Sequence, residues 1–145
     1  RFMERFNIYL AGSCKNEIDE GKGWREKVAT IFNNHIESKD YKIVVIDPTK
    51  YFSYADRKDH ETDKQIMEFY LDQIRHSRIV LVNLNNSTVS VGTGMEIMYA
   101  RCHDVPIIGF GDSEVYPWID ISCQKTSKSM LEAINYISEY YIERR

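Results

Sequence analysis

Apolar residues follow the chain in two alternating patterns. Four short continuous runs, rich in β-branched residues, predict strands buried on both faces at 6–11, 43–46, 78–84 and 105–110. Between and after these runs, apolar residues spaced three or four apart predict amphipathic helices at about 23–34, 62–76 and 127–143, with a further helix-like segment at 97–101. A polar, aromatic loop at 51–61 and a short apolar piece at 118–121 complete the pattern.

This alternation of strands and helices predicts an α/β fold. Strands that are apolar on both faces are typical of a mostly parallel sheet with helices on both sides, and its crossovers should be right-handed. The 145 residues contain no internal repeat or linker, so we expect a single domain over residues 1–145. Sheets of this kind bind ligands outside the carboxyl ends of their strands, which makes that edge the predicted place of a functional site.

Charge and cysteine content argue against several classes of function. A formal net charge of −3 does not suit a protein that holds nucleic acid through its phosphate backbone. The three cysteines are irregularly spaced and odd in number, which indicates the reduced thiols of a cytoplasmic protein. No two of the four histidines have metal-ligand spacing, and no apolar run approaches the roughly 20 residues that span a bilayer. We therefore expect a cytoplasmic protein that binds neither a metal nor a membrane.

The loop after the third apolar run carries the strongest candidate site. It contains Gly92 and Gly94 and brings the carboxylate of Glu96 to the start of a helix. In one interpretation Thr93 and Glu96 form a capping box, with Thr93 as the N-cap. In the other, the positive field of the helix start stabilises an ionised Glu96 as a nucleophile toward a sugar carbon, while the glycines admit a ligand to the backbone amides. The spacing leaves both interpretations open.

A second polar turn follows the first predicted strand. It contains one glycine and is therefore neither a P-loop nor a dinucleotide fingerprint. The amide of Gly12, the hydroxyl of Ser13 and the ammonium of Lys15 are suited to cradle an anion, although an ordinary turn between a strand and a helix would look the same. Because both turns follow parallel strands, we expect them to face each other at one edge of the sheet.

Three segments together carry a family resemblance: Ile8-Tyr9-Leu10-Ala11-Gly12-Ser13, Val45-Ile46-Asp47-Pro48, and the stretch 77–100 with Val91-Gly92-Thr93-Gly94-Met95-Glu96. In this order they resemble the nucleoside 2-deoxyribosyltransferase family, and the G-x-G-M-E segment is the specific part. The resemblance extends from the first strand to about Gly109. It implies a flavodoxin-like, doubly wound, mostly parallel sheet with helices on both faces. It also implies that Glu96 is the nucleophile of a covalent glycosyl-enzyme intermediate, that Tyr9 lies beside it, and that no cofactor is needed.

One departure from the family pattern concerns the substrate. Family members that act on free nucleosides resemble one another in carrying an aspartate six residues before the nucleophile, where it meets the sugar 5′-hydroxyl. This chain has Ser90 there, as is typical of the family's nucleotide N-glycosidases. A serine hydroxyl and nearby amides can donate to a phosphate that an aspartate would repel, and Lys15 would add positive charge. We therefore predict a nucleoside 5′-monophosphate as substrate.

A second departure concerns the leaving base. The family commonly has an aspartate that handles the proton of this base, at a place that aligns here with Tyr70. Tyr70 has a much higher ordinary pKa, and its position on an apolar stripe also suits a plain core residue. Asp47 or Asp72 are the candidates to take over the proton. Asp47, with Tyr51 and Phe52, is also a candidate lining of the base pocket.

These residues support four hypotheses for function. The first is an N-glycosidase acting on nucleoside 5′-monophosphates, and the second is a transferase that exchanges bases on free deoxynucleosides. The third is a non-catalytic nucleotide-binding or sensor module, and the fourth is an interaction domain in which Thr93 and Glu96 only cap a helix. The resemblance implies a homo-oligomer, for which the tyrosine-rich end at 136–142 is a candidate contact. At the start of the first helix, Trp24 is expected in the core and Arg25 as a solvated or phosphate-facing charge.

Overall fold

A computed structural model describes residues 3–14, 17–51, 62–111 and 114–143. Five strands and five α-helices alternate along them: β1 (Glu4–Gly12), α1 (Lys22–His35), β2 (Tyr41–Ile46), α2 (Asp63–Arg75), β3 (Ile79–Asn83), α3 (Val91–Cys102), β4 (Ile107–Phe110), α4 (Pro117–Ser122), β5 (Lys125–Ser127) and α5 (Met130–Ile137). Short 3-10 helices at Pro48–Lys50 and Ser87–Val89 precede α2 and α3, and a π-helical turn, Ser138–Glu143, extends α5. The predicted loop at 51–61 falls almost entirely outside the described residues.

The five strands form one sheet in the order β2-β1-β3-β4-β5, and every neighbouring pair is parallel. The predicted α/β fold with a doubly wound parallel sheet is therefore confirmed. The chain order reverses between β1 and β3, because β2 lies on one side of β1 while β3 and β4 continue on the other. At the carboxyl ends, Gly12 of β1 pairs with Asn83 of β3, and Asn83 pairs with Phe110 of β4, so these three strands end level with each other.

Two apolar layers cover the sheet because the central strands bury both faces, as their continuous apolar runs predict. Alternate residues of β1 divide between them: Phe6, Ile8 and Leu10 face one layer, and Tyr9 and Ala11 face the other. The first layer packs against α1 and α5, and the second against α2 and α3. Tyr9 is therefore placed on the side of the sheet where α3 carries Glu96.

Three boundaries differ from the sequence prediction. The strand expected at 105–110 begins at Ile107, and the piece at 118–121 is the short helix α4. The helix expected over 127–143 begins only at Met130, because residues Lys125–Ser127 form the edge strand β5. That strand is largely exposed and polar, so it has no apolar run to reveal it. No helix among the described residues is long and apolar enough to cross a membrane.

Candidate functional site

A cavity of about 520 Å³ lies at the carboxyl edge of the sheet, beside the point where the strand order reverses. Its walls come from the end of β1, from α1 and α2, and from the segment that starts α3. The two polar turns that the sequence singled out therefore meet in one place. The described lining includes Gly12, Ser13, Cys14, Arg25, Tyr70, Ser90, Gly92, Thr93 and Glu96 together with apolar side chains of α2, namely Ile66, Met67 and Leu71.

The start of α3 differs from the expected capping box. The helix begins at Val91, and its N-cap is Ser90, whose hydroxyl accepts a long bond of 3.4 Å from the amide of Thr93 and pairs with the Thr93 hydroxyl at 2.7 Å. Thr93 is thus already inside the first turn, and Glu96 lies in the second. The interpretation of Thr93 and Glu96 as a capping box is therefore wrong. The side chain of Glu96 does not cap the helix and points toward the sheet.

The side chains of Glu96 and Tyr9 are joined by a hydrogen bond at the wall of the cavity. The phenol of Tyr9 donates to Oε2 of Glu96 at 2.5 Å, a distance typical of a strong bond to a carboxylate. Tyr9 is fully buried and Glu96 partly buried. Burial raises the pKa of Glu96 from 4.5 to about 7, against the opposing effects of the Tyr9 hydrogen bond and the positive charge of Arg25. Burial, followed by the charge of Glu96, raises the pKa of Tyr9 well above its ordinary value, so Tyr9 remains the donor.

The glycines at the start of α3 leave open space around the backbone. A Cβ atom added at Gly92 or Gly94 would meet no atom of the described residues within 4 Å. Gly92 borders the cavity of Glu96, whereas Gly94 borders a second cavity of about 370 Å³ between α3 and α4. Ser90 and Val91 line both cavities. A ligand beside Glu96 could therefore approach the first amides of α3, which have no partner within the helix.

Just after the ends of β1 and β2, two buried oxygens lack a hydrogen-bond partner among the described residues. One is Oγ of Ser13, which lines the cavity, and the other is Oδ2 of Asp47. The second carboxylate oxygen of Asp47 accepts from the amide and the hydroxyl of Thr49, at 2.9 and 2.6 Å, and so caps the 3-10 helix that follows β2. Buried polar atoms are rarely left unpaired in the absence of a ligand or water, so both oxygens are free to bind one.

Of the remaining predicted site residues, some line the cavity and others do not. Tyr70 lines the cavity, and its hydroxyl donates to the carbonyl of Pro48 at 3.3 Å. Asp72 does not line the cavity; its exposed carboxylate is held by Arg75 on α2 at 2.5 Å. Lys15 and Phe52 lie outside the described residues. The structure thus brings together Tyr9, Gly12, Ser13, Tyr70, Ser90, Gly92 and Glu96, and it places Asp72 elsewhere.

Arg25, expected as a solvated or phosphate-facing charge, is not solvated. It is only 1% exposed and lines the cavity. It shares the buried face of α1 with Val28 and Phe32, at helical spacing. An arginine on an apolar stripe was the signal in the sequence, because a buried cation must find polar partners inside. Trp24, expected in the core, is partly buried and packs edge-on against Phe110 with ring centroids 5.5 Å apart.

Cys14 is a second lining residue that the sequence did not single out. Its thiol is partly buried, donates to the carbonyl of Gly12 at 3.5 Å, and has its pKa raised by burial. The thiol of Cys14 is therefore an uncharged part of the cavity lining. The described residues contain no group of three or more His, Cys, Asp or Glu side chains that could hold a metal ion.

Similar proteins share this fold. No curated protein sequence matches the chain. Among solved structures, a conserved protein from Enterococcus faecalis V583 matches with a TM-score of 0.71 and 14% identity, over 93% of this chain and 98% of that one. A 2-desoxiribosyltransferase from Leishmania mexicana matches with a TM-score of 0.64 and 17% identity, over 94% and 99%. A 2-deoxyribosyltransferase from Bacillus psychrosaccharolyticus matches with a TM-score of 0.65 and 16% identity, over 90% and 91%.

The sequence itself identifies the family. A family model described as nucleoside 2-deoxyribosyltransferase like matches residues 5–113, which include β1 with Tyr9, the start of α3 and Glu96. The matched span therefore contains all of the cavity lining described above. With the fold and the motif at the sheet edge in agreement, the chain belongs to the nucleoside 2-deoxyribosyltransferase-like family.

Proposed function

We propose that this protein hydrolyses the bond between base and sugar in nucleoside 5′-monophosphates through a covalent glycosyl-Glu96 intermediate. The observation that carries the proposal is the carboxylate of Glu96, bonded to Tyr9 at 2.5 Å in the same cavity that Ser90 lines. Tyr9 occupies Oε2, and among the described residues Oε1 has no hydrogen-bond partner and is left to attack C1′. A carboxylate fixed in this way is suited to act as a glycosyl nucleophile.

The reaction has two balanced steps. In the first, Oε1 of Glu96 forms a bond to C1′, the bond between C1′ and the base nitrogen breaks, and the base leaves with its electron pair and takes up a proton. In the second, water attacks C1′, the bond to Glu96 breaks, and the carboxylate is regenerated with release of the sugar 5-phosphate and a proton. A second base in place of water would give transfer. Neither step requires a metal or an organic cofactor.

A phosphate on the substrate would lie at the start of α3. The helix dipole, the open backbone at Gly92 and the hydroxyls of Ser90 and Thr93 favour an anion there. In the same cavity, the apolar side chains of α2 and the ring of Tyr70 offer a surface for the base. The unpaired oxygens of Ser13 and Asp47 are candidates to bind the substrate's hydroxyl or amino groups.

The proton of the leaving base has two remaining candidates. Tyr70 lines the cavity but is bonded to Pro48, and Asp47 is buried with one free oxygen. Asp72 is exposed and paired with Arg75, which does not favour it as the proton donor.

We also propose that the protein forms a homo-oligomer. We further propose that it acts in the cytoplasm, because its three cysteines are free thiols.

The test is a panel of nucleoside 5′-monophosphates and the matching nucleosides, each scored for free base with and without a second, acceptor base. We expect base release from a monophosphate in water and none in Glu96→Gln, which keeps the shape of the side chain without its charge. Base exchange on free nucleosides alone would identify a transferase instead. Binding of a monophosphate without any base release would identify a non-catalytic module and contradict the proposal.

A further inference from the structure

Arg25 is the largest fully buried side chain among the described residues. It lies in the first turn of α1, and its guanidinium donates to three backbone carbonyls: Nε to Leu10 at 3.2 Å, Nη1 to Gly21 at 2.9 Å and Nη2 to Gly12 at 3.0 Å. Leu10 and Gly12 end β1, whereas Gly21 precedes α1. One side chain therefore ties together both ends of the segment that contributes Ser13 and Cys14 to the cavity.

The backbone is shaped to receive this guanidinium. Gly21 has φ of +77°, in the left-handed region that favours glycine, and a Cβ atom there would collide with Nη1 of Arg25 and lie 2.8 Å from the carbonyl of Ser13. On its other side the guanidinium carbon lies 4.7 Å from the ring centroid of Trp24. Arg25 is thus fixed by close contacts on several sides.

The charge of Arg25 has no direct ion-pair partner among the described residues. Each guanidinium nitrogen donates to one carbonyl, but carbonyls do not neutralise the charge, and a buried cation without a counter-charge is expensive. Two carboxylates line the same cavity, Glu96 on α3 and Asp63 at the start of α2, and the charge of Arg25 acts on Glu96.

Other groups face Glu96 from each element around it. Tyr9 donates from β1, Cys14 lies on the segment after β1, and the phenol of Tyr70 and the carboxylate of Asp63 line the cavity from α2. Burial raises the pKa of both Tyr9 and Cys14, so each is neutral where Glu96 titrates. Arg25 lowers the pKa of Glu96, as does the Tyr9 hydrogen bond. Among the described residues that line this cavity, Arg25 is therefore the cation acting on Glu96.

We propose that Arg25 is a positioning residue: its buried charge favours the reactive carboxylate form of Glu96, while its three hydrogen bonds hold the Gly12–Ser13 turn against the cavity. The catalytic meaning of this inference rests on the proposed function, in which Glu96 attacks as a carboxylate. The electrostatic link between the two side chains does not depend on that function and can be measured alone.

The experiment follows the ionisation of Glu96 in the full chain by carbon NMR of its side-chain carboxyl, assigned by its loss in Glu96→Gln. Two variants separate charge from hydrogen bonding: Arg25→Lys keeps the charge, and Arg25→Gln keeps an amide donor without it. We expect the pKa of Glu96 to rise by about one unit or more in Arg25→Gln and to change much less in Arg25→Lys. The acid limb of base release should move with it in the same two variants.

An unchanged Glu96 titration in Arg25→Gln, or equal shifts in both variants, would overturn the proposal. A measurement on the unmodified protein covers the case in which a variant does not fold. The Nε resonance of Arg25 should titrate with the same midpoint as the Glu96 carboxyl, and it should not respond over that pH range in Glu96→Gln. Absence of base release with these NMR shifts intact would refute the proposed function alone.

Discussion

At the scale of single residues, Glu96 shows a conflict between stability and reactivity. Its position in the second turn of α3 points it toward Tyr9, but partial burial there disfavours its charge and raises its pKa to about 7. The Tyr9 hydrogen bond and the Arg25 charge offset this only in part. A carboxyl whose folded pKa exceeds its unfolded value stabilises the fold most when protonated, and this contribution is lost as the pH rises through the folded pKa.

Because burying the charge of Glu96 costs free energy, we predict that Glu96→Gln stabilises the protein in a pH-dependent way. Below pH 4.5 both forms are neutral at this position and should differ little. Above pH 7 only the parent buries a charge at this position. Its free energy of unfolding should therefore be lower than that of the variant by up to about 3 kcal/mol. Urea unfolding of both proteins between pH 4 and pH 8 measures the difference, and other titrating groups cancel in the comparison. A difference independent of pH would contradict the prediction.

At the scale of elements, the start of α3 decides what Glu96 can do. Ser90 and Thr93 both have side chains that suit an N-cap. Only Thr93 is followed three residues later by a glutamate, Glu96, so the sequence pattern of a capping box favours Thr93. The 3-10 helix Ser87–Val89 and the extended backbone at Ser90 instead start α3 at Val91. Ser90 therefore has two tasks, capping α3 and, in the proposed function, receiving a phosphate.

Two substitutions of Ser90 separate these tasks. Ser90→Ala should lower the free energy of unfolding by about 1 kcal/mol because the cap is lost. Ser90→Asp keeps a good N-cap and should unfold at nearly the parent's denaturant concentration, but its charge repels a phosphate. We expect at least a roughly tenfold loss of kcat/KM for the monophosphate in Ser90→Asp, with no comparable loss for a free nucleoside. Equal effects on both substrates would argue against a phosphate at this position.

At the scale of the whole molecule, large apolar side chains are exposed on the outer side of α3 and α4. This α3/α4 surface consists of Val91, Met95, Met98, Tyr116, Trp118 and Ile121, of which Trp118 is 70% and Ile121 74% exposed. Large apolar side chains exposed side by side often mark contacts with other proteins, and we expect a second copy of the chain to cover this surface.

A charge placed in the α3/α4 surface should therefore prevent two copies of the chain from associating through it. The parent should show a multiple of 17.1 kDa by light scattering at micromolar concentration, and Trp118→Glu should shift it toward 17.1 kDa. Leu131→Glu is the matched control, because Leu131 is also exposed, at 54%, but lies on α5 against the opposite layer of the sheet. A parent of 17.1 kDa at every concentration, or equal behaviour of both variants, would remove this surface as the interface.

The sequence by itself determined the order of elements from β1 to β4, the parallel sheet and the edge at which the candidate site lies, because continuous apolar strands and amphipathic helices have few compatible arrangements. It also placed Glu96, Tyr9 and Ser90 at that edge. Only the tertiary structure decided where α3 starts, that Arg25 is buried in the cavity wall, that Asp72 lies outside the cavity, and that polar residues form β5. Each of these depends on contacts between residues distant along the chain, which local spacing does not encode.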